Sequence, residues 1–380
     1  MTHRFRTFLL STLATGLLAS CATPQPSPLA EPLVTPMPSA AIDASRPLTR
    51  IAFGSCLKEE DELSILSDIV AADPDLFLLI GDNVYGDPRW DDPEADDPVM
   101  PKMSRSYERL ASRAEFTALR DAVPMLTTWD DHDYGANDAG GDYAFKERAE
   151  DLYLDAWAVP ADDERRRRPG IHTSRTFGPD GQSVQVILLD TRYFRGPLTR
   201  TDERNAPGKE RYLPSPDASS TMLGEDQWDW LEETLREPAD LRLLVSSIQV
   251  HSDAHGWEAW RTLPHERERL YDMLAETGAA EDTVILSGDR HAGSIYRRNA
   301  GGTPVTEVTS SSLNAPVSIW IQQALDRGDP PRPVEQGPYQ LYPMQNEVNY
   351  GLIDIDWDAR SASVSVVSPG RETYSETVGF

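Results

Sequence analysis

Cysteine is nearly missing from this 380-residue chain, which holds only Cys21 and Cys56. With Cys21 assigned to an amino-terminal processing segment, Cys56 is the one thiol left in the folded part, and an intramolecular disulfide is excluded. Basic charge is also scarce. The 36 Lys and Arg stand against 63 Asp and Glu, a formal net charge of −27, so a basic surface that grips a nucleic acid backbone is excluded. The run Arg165 to Arg168 is local and reads as a solvated loop. Long apolar runs are lacking too. The stretch Phe8 to Leu18 is too short to cross a membrane as a helix. What is present is 39% hydrophobic residues, enough for a sizeable core and too many for a fibrous or disordered chain.

Arg4 and Arg6 precede the apolar stretch, and Leu18-Ala19-Ser20-Cys21 follows it, the layout of a secretory signal. Small residues directly before a cysteine resemble a bacterial lipobox. That implies a signal peptide over residues 1–20, cleavage before Cys21 and lipid attachment to its thiol. Ala22 in place of Asp implies the outer membrane, facing the periplasm. Residues 22–47 are rich in Pro, Ser, Thr and Ala, without apolar periodicity, and read as a flexible tether. The folded domain is expected over residues 48–380.

Arg50 to Phe53 reads as a strand, Leu63, Leu66, Ile69 and Val70 as one helical face, and Leu76 to Ile80 as a second strand. Leu76 to Ile80 is apolar throughout, as a parallel strand covered on both faces should be. A helix over Ser104 to Asp121 leads to a strand over Pro124 to Trp129. Val184 to Leu189, Leu243 to Val250 and Thr283 to Leu286 are further buried strands, with helices at Glu225 to Leu235 and Glu266 to Ala275. Gly351 to Asp356, Ala362 to Val367 and Tyr374 to Val378 are short and partly alternating, hence antiparallel strands.

Three strand ends carry clustered ligand chemistry: Gly81-Asp82-Asn83-Val84-Tyr85, Trp129-Asp130-Asp131-His132-Asp133 and Ser287-Gly288-Asp289-Arg290-His291. Gly-Asp after a strand is a weak signal by itself. Four ionisable groups in a row after a buried strand repel one another too strongly to sit there without a cation. The same theme at three strand ends points to a metal site rather than acidic turns. Cys56 and Tyr85, taken alone, read first as a small buried hydrophobe and a core aromatic, and their places beside Asp82 turn them toward the site.

These segments resemble the alkaline phosphatase D family of the metallophosphoesterase superfamily from about Arg50 to the carboxyl end. The resemblance rests on Phe53-Gly54-Ser55-Cys56, Gly81 to Tyr85, Trp129 to Asp133 with Asn137, Leu189-Asp190-Thr191-Arg192, Gln249, Trp260 with Pro264-x-Glu266-Arg267, and Ser287 to His291. It implies an α/β fold, a four-layer α/β/β/α sandwich of two mixed sheets, with the later strands, tail included, building the second sheet. It further implies two adjacent metal positions bridged by Asp82. Cys56, Tyr85 and His291 would hold the first, and a thiolate with a phenolate favours ferric iron. Asp131, Asp289 and Asn137 would hold the second, an oxygen set suited to calcium or another hard divalent ion.

The implied reaction is hydrolysis of a phosphate mono- or diester by a metal-bound hydroxide. His132 would be the general acid, oriented by Asp133, although it could also be a further ligand. Arg192 and Arg290 would grip phosphate oxygens, or pair with local carboxylates. One of Gln249, His251 and His255 is expected near the second metal. His172, His265 and His3 are expected at the surface or in the signal segment. A monomer that binds no nucleic acid and reaches the membrane through its lipid is the expected assembly. The rival reading is a non-catalytic, calcium-binding envelope lipoprotein on the same scaffold.

Overall fold

A computed structural model describes residues 32–380 except Trp90 and residues 330–334. The signal segment, Cys21 and His3 lie outside the described residues. Among the described residues, no helix is long and apolar enough to cross a membrane.

The chain runs β1 (Arg50–Gly54), α1 (Ile65–Ala71), β2 (Leu76–Ile80), α2 (Pro101–Ser112), α3 (Ala114–Ala122), β3 (Met125–Thr128), α4 (Asp131–Tyr134) and α5 (Lys146–Ala156). It continues through β4 (Thr173–Phe177), β5 (Val184–Leu188), the small hairpin β6 (Thr199–Arg200) and β7 (Tyr212–Leu213), α6 (Glu225–Leu235), β8 (Leu241–Ser246) and α7 (Pro264–Thr277). Last come β9 (Thr283–Ser287), β10 (Gly293–Ala300), β11 (Thr303–Ser310), α8 (Val317–Asp326), β12 (Tyr350–Asp356), β13 (Ser361–Val367) and β14 (Tyr374–Gly379).

Two six-stranded mixed sheets form, ordered β14-β13-β12-β1-β2-β3 and β10-β11-β9-β8-β5-β4. Side-chain alternation along each strand decides the layers. Ile51, Phe53, Leu78 and Ile80 of the first sheet meet Val186, Val245, Leu286 and Val308 of the second in one core between the sheets. From the opposite face of the first sheet, Ala52, Phe77 and Leu79 pack with Leu66, Tyr107, Phe116 and Leu152 of α1, α2, α3 and α5. Ile187, Leu244 and Ile285 of the second sheet pack likewise with Trp228, Leu231 and Leu270 of α6 and α7. This is the four-layer α/β/β/α sandwich. β1, β2 and β3 are mutually parallel, as are β5, β8 and β9, so both sets end on the same kind of edge.

The tail strands do not build the second sheet. β12 pairs antiparallel with the open edge of β1, Phe53 facing Gly351, and β13 and β14 extend that sheet outward. Gly351 allows the join, because a Cβ there would sit 2.0 Å from the Phe53 ring. The second sheet is completed instead by β4 and the β10–β11 hairpin, which sequence reading did not place. The helix expected over Ser104 to Asp121 is two helices. The chain turns extended at Arg113, whose guanidinium is drawn to the carbonyls of Glu59 and Asp61 at 2.6 and 2.8 Å.

Residues 32–47 are not a free tether. Val34 and Met37 are buried in the core under α5, and the backbone is pinned by Leu33 N to Asp155, Thr35 N to Glu108 and Met37 N to Ala156 O. The packed body therefore starts at Pro32 rather than Leu48. The Arg165 to Arg168 run is not simply solvated either. Arg165 pairs with Asp163, Arg166 with Asp155, and Arg168 donates to the Gly170 carbonyl.

His172, expected at the surface, is 3% exposed. Its ring lies 4.7 Å from that of Trp230, with Arg168 Nη1 3.0 Å from Nδ1. Burial, then the Arg168 charge, lowers its pKa to about 2. The unfolded chain takes up this proton near the ordinary value while the folded chain refuses it, so stability is lost as pH falls below about 6.5. His172→Phe should remove up to about 1.4 kcal/mol per pH unit from that decline between pH 6 and pH 4. Urea midpoints at several pH values measure it, and an unchanged slope would refute the assignment.

Candidate metal centre

Four strands, β1, β2, β3 and β9, deliver the chemistry, and three of them end in a turn that ordinary residues avoid. Cys56 follows β1, Asp82 follows β2, and Asp289 and His291 follow β9, with φ of 58°, 49°, 68° and 53°. The left-handed region costs a non-glycine residue about 1–2 kcal/mol, and such strain collects at functional sites. Glycines bring the two sheets' edges together. A Cβ on Gly288 would lie 2.5 Å from Ser55 Oγ and 2.9 Å from Ser247 O, and one on Gly81 2.7 Å from Asp130 Cβ.

Asp82 is the hub. Cys56 Sγ and Tyr85 Oη lie 3.4 and 3.3 Å from its Oδ2, while His132 N donates to its Oδ1 at 3.3 Å. Three groups of ligand atoms, each within 4.8 Å of one another, form a connected series: Cys56–Asp82–His291, Asp82–Asp131–His132 and Asp130–Asp131–Asp289. His291 Nδ1 is engaged with the Ala315 carbonyl at 2.6 Å. That contact makes Nδ1 the donor and turns a bare Nε2 toward the site, the tautomer a metal ligand needs. His132 Nδ1 meets Asp87 Oδ1 at 2.7 Å, which likewise leaves Nε2 free.

The electrostatics ask for cations. Asp82, Asp130 and Asp131 are 1%, 1% and 3% exposed. Burial, joined by the neighbouring carboxylates, pushes the pKa of Asp82 and Asp289 well up. Burial and the Asp82 charge do the same to the Cys56 thiol, and burial and Cys56 to the Tyr85 phenol. Burial raises Asp130 to about 6 against the pull of Arg192. Asp131 resists its burial because His132 and Arg192 favour the carboxylate, holding it at about 2. For His132, burial opposes the imidazolium, but Asp131, Asp82 and Asp87 outweigh it. Asp130 Oδ2 and Asp131 Oδ1 are buried without a hydrogen-bond partner. Buried lone pairs and mutually raised acids are the mark of a site built around positive charge. Sulfur, phenol and imidazole on one side of Asp82, and carboxylates alone on the other, fit two unlike ions.

A sequence model of the PhoD-like phosphatase family matches residues 51–365. The chain belongs to that family. Alkaline phosphatase D of Bacillus subtilis (strain 168) is 24% identical over 296 residues, 70% of this chain and 49% of the relative, so the chain spans about half the length of that curated relative. A solved structure titled "Structure of PhoD" superposes with a TM-score of 0.62 at 17% identity, covering 88% of this chain and 70% of the other, and supports the fold.

Of the residues that the PhoD-like pattern singles out, the structure brings Cys56, Asp82, Tyr85, Asp131, Asp289 and His291 together. Asn137 is exposed on the turn after α4, next to Asp138, whose backbone N donates to Asp131 at 2.7 Å. Asp133 does not orient His132. Its carboxylate accepts from Asp130 N and Asn83 Nδ2 at 2.6 and 2.5 Å, because the α4 turn points it inward, and Asp87 takes the orienting place. Arg192 is wholly buried between Asp130 and Glu258, Nε 2.6 Å from one and Nη1 2.6 Å from the other. Arg290 is paired with Glu335 at 2.7 Å.

Gln249, His251 and His255 belong to a separate buried network. His255 Nε2 meets Gln249 Oε1 at 2.8 Å, Gln249 Nε2 donates to Thr309 and Tyr296, and His251 bridges Tyr271 and the Val305 carbonyl. Among the described residues neither histidine shares a ligand group with the carboxylates, and both ends of the Gln249 amide are engaged within this network. His265, half-buried, meets the Ser220 carbonyl at 2.6 Å. Sequence reasoning missed Asp87 and the third-group role of Asp130. Their signals were present, in Gly86-Asp87 directly behind Tyr85 and in the first acid of Trp129-Asp130-Asp131.

Proposed function

We propose that the chain is a metal-dependent phosphoric ester hydrolase of the bacterial cell envelope, anchored by lipid on Cys21. The observation that carries the catalytic part is Asp82, whose carboxylate belongs to two different ligand groups, with Cys56 and Tyr85 against its Oδ2. Cys56, Tyr85 and His291 would hold ferric iron. Asp131 and Asp289, with Asp82 shared, would hold calcium or another hard divalent ion, and Asp130 stands close enough to assist. Such an ion pair, when bound, supplies charge neutralisation at phosphoryl oxygens and activates water at neutral pH.

The protein's own part begins with the protein-facing shell. Ala315 O and Asp87 fix the tautomers of His291 and His132, so that neither ring must reorganise during turnover. His132 Nε2 is free to hand a proton to the departing ester oxygen. Asp130, clamped by Arg192 and Ser247 Oγ at 2.6 Å, keeps the β3 turn rigid behind Asp131. Arg290, on the same turn as Asp289, meets phosphate oxygens if its fork leaves Glu335.

Purified protein supplied with iron and calcium should hydrolyse p-nitrophenyl phosphate, its bis-ester, or both. Chelation should abolish the activity, and both ions together should restore it better than either alone. Protein that binds the ions and hydrolyses neither ester would instead be the non-catalytic, calcium-binding lipoprotein.

A further inference from the structure

α8 leaves Ile319, Trp320, Ile321 and Leu325 between 36% and 48% exposed, and no residue of the helix is buried. Four large apolar side chains exposed on one short helix are more than the single scattered hydrophobe of an ordinary surface. The helix starts at the metal centre. Val317 N donates to His291 O at 2.8 Å, and the Trp320 indole meets the His291 ring edge-on with centroids 4.4 Å apart. Apolar surface therefore begins where a proposed iron ligand ends.

Lys58, two residues beyond Cys56, stands in the same rim. Its ammonium lies 5.2 Å from the Tyr85 ring centre and 5.3 Å from that of Trp320. Among the described residues no carboxylate pairs with it, although the chain carries a formal net charge of −27. A cation resting on aromatic faces keeps its charge available to an anion while its stem stays in apolar contact. Tyr85 also stacks on His132, 4.3 Å between centroids, which puts the same wall beside the proposed proton donor.

We propose that Lys58 and the exposed face of α8 form a subsite for the organic part of the ester, and that the substrate is a phosphodiester carrying a long apolar chain. The anionic phosphate then lies at the metals within reach of Lys58, and the chain lies along Ile319, Trp320 and Ile321. This rests on the hydrolase reading above.

The test is a series of methyl, butyl and octyl p-nitrophenyl phosphates, each below its aggregation concentration, with the iron- and calcium-loaded full chain. The value of kcat/KM should rise through KM by about twofold per methylene, the factor that half-burying each CH2 gives. Ile319→Ser combined with Ile321→Ser should flatten the octyl-to-methyl ratio, which is read within each variant and so is independent of how much protein is active. Lys58→Met should raise KM along the whole series and leave the slope in place. A flat series in the native chain with brisk turnover of the methyl ester overturns the subsite alone; failure to turn over any member while p-nitrophenyl phosphate is hydrolysed overturns the diester proposal, and failure on that monoester as well overturns the hydrolase reading. A flat series accompanied by sedimentation as a dimer, or by binding to phosphatidylcholine vesicles, gives the face to a second copy or to a bilayer and likewise overturns the proposal.

Discussion

Asp82→Asn is expected to strip the protein of bound iron and calcium, to cut kcat/KM by at least about a thousandfold, and at the same time to stabilise the metal-free fold. The loss of activity follows from the position of one carboxylate between two groups of ligands: Cys56 and Tyr85 reach its Oδ2 and the His132 amide its Oδ1. Removing a single preorganised donor from a transition state costs about 10²–10³ in rate. Asparagine here weakens both ion positions together, so the effect should lie beyond that range. The gain in stability comes from the same residue in the absence of ions. Burial outweighs the His132 charge, and the charges of Asp131, Asp130 and Asp133 add to it in disfavouring the Asp82 carboxylate. A neutral isostere removes that penalty, worth roughly 1–3 kcal/mol for a buried unpaired polar or charged group. Metal content by elemental analysis, the visible absorption of an iron-bound phenolate and the melting temperature in chelator measure the three effects. If the group were a structural acidic turn, the substitution would lower the melting temperature and leave metal content unaffected.

The opposed signs explain why the site could be recognised in the sequence while its finer wiring could not. A run such as Trp129-Asp130-Asp131-His132-Asp133 after a buried strand conflicts with local stability, and conflicts between local preference and fold gather at functional sites. Three of them at strand ends pointed to a metal centre, and the family resemblance supplied the individual ligand candidates, Cys56 and Tyr85 among them. The direction of each side chain was not legible. Sequence reading assigned Asp133 to orient His132 and missed Asp87; the α4 turn, which aims Asp133 at the Asp130 amide, gives that place to Asp87. His251 and His255 follow a strand that ends near the centre, yet Glu307, Tyr271 and Gln249 from neighbouring segments satisfy them elsewhere. These pairings span 56, 20 and 6 residues along the chain, and no local pattern announces them.

The buried strands were legible for the same reason that the tail was misassigned. Continuous apolar strands such as Leu76 to Ile80 declare burial on both faces and so an α/β protein, while the four-layer α/β/β/α arrangement was implied by the family resemblance. Nothing in Gly351 to Asp356 says which sheet edge it will join. The choice falls to β1, whose other edge is taken by β2 and whose Phe53 finds in Gly351 a partner without a side chain. The consequence for the site is mechanical: with β12 at its back, β1 is interior to its sheet, and the turn that holds Cys56 rests on strands from both ends of the chain.

His132→Ala should separate proton donation from metal binding. The imidazole lies in one ligand group with Asp82 and Asp131, so a ligand role and an acid role are both compatible with its place. Three contacts favour the acid. Nδ1 is held by Asp87 at 2.7 Å, the ring is stacked on Tyr85, and its backbone amide rather than its ring donates to Asp82. Asp82 and Asp131 can each be shared between ions without it. The alanine variant should therefore keep both ions and lose about 10²–10⁴ in kcat on esters of alkyl alcohols, whose leaving oxygen needs a proton, while p-nitrophenyl esters, which leave as a stable anion, should suffer far less. Asp87→Asn should shift the same ratio in the same direction by a smaller factor, since it leaves the ring present but less well oriented. Equal losses on alkyl and nitrophenyl esters, or a parallel loss of one metal equivalent, would make His132 a ligand, and the proton would then have to come from water.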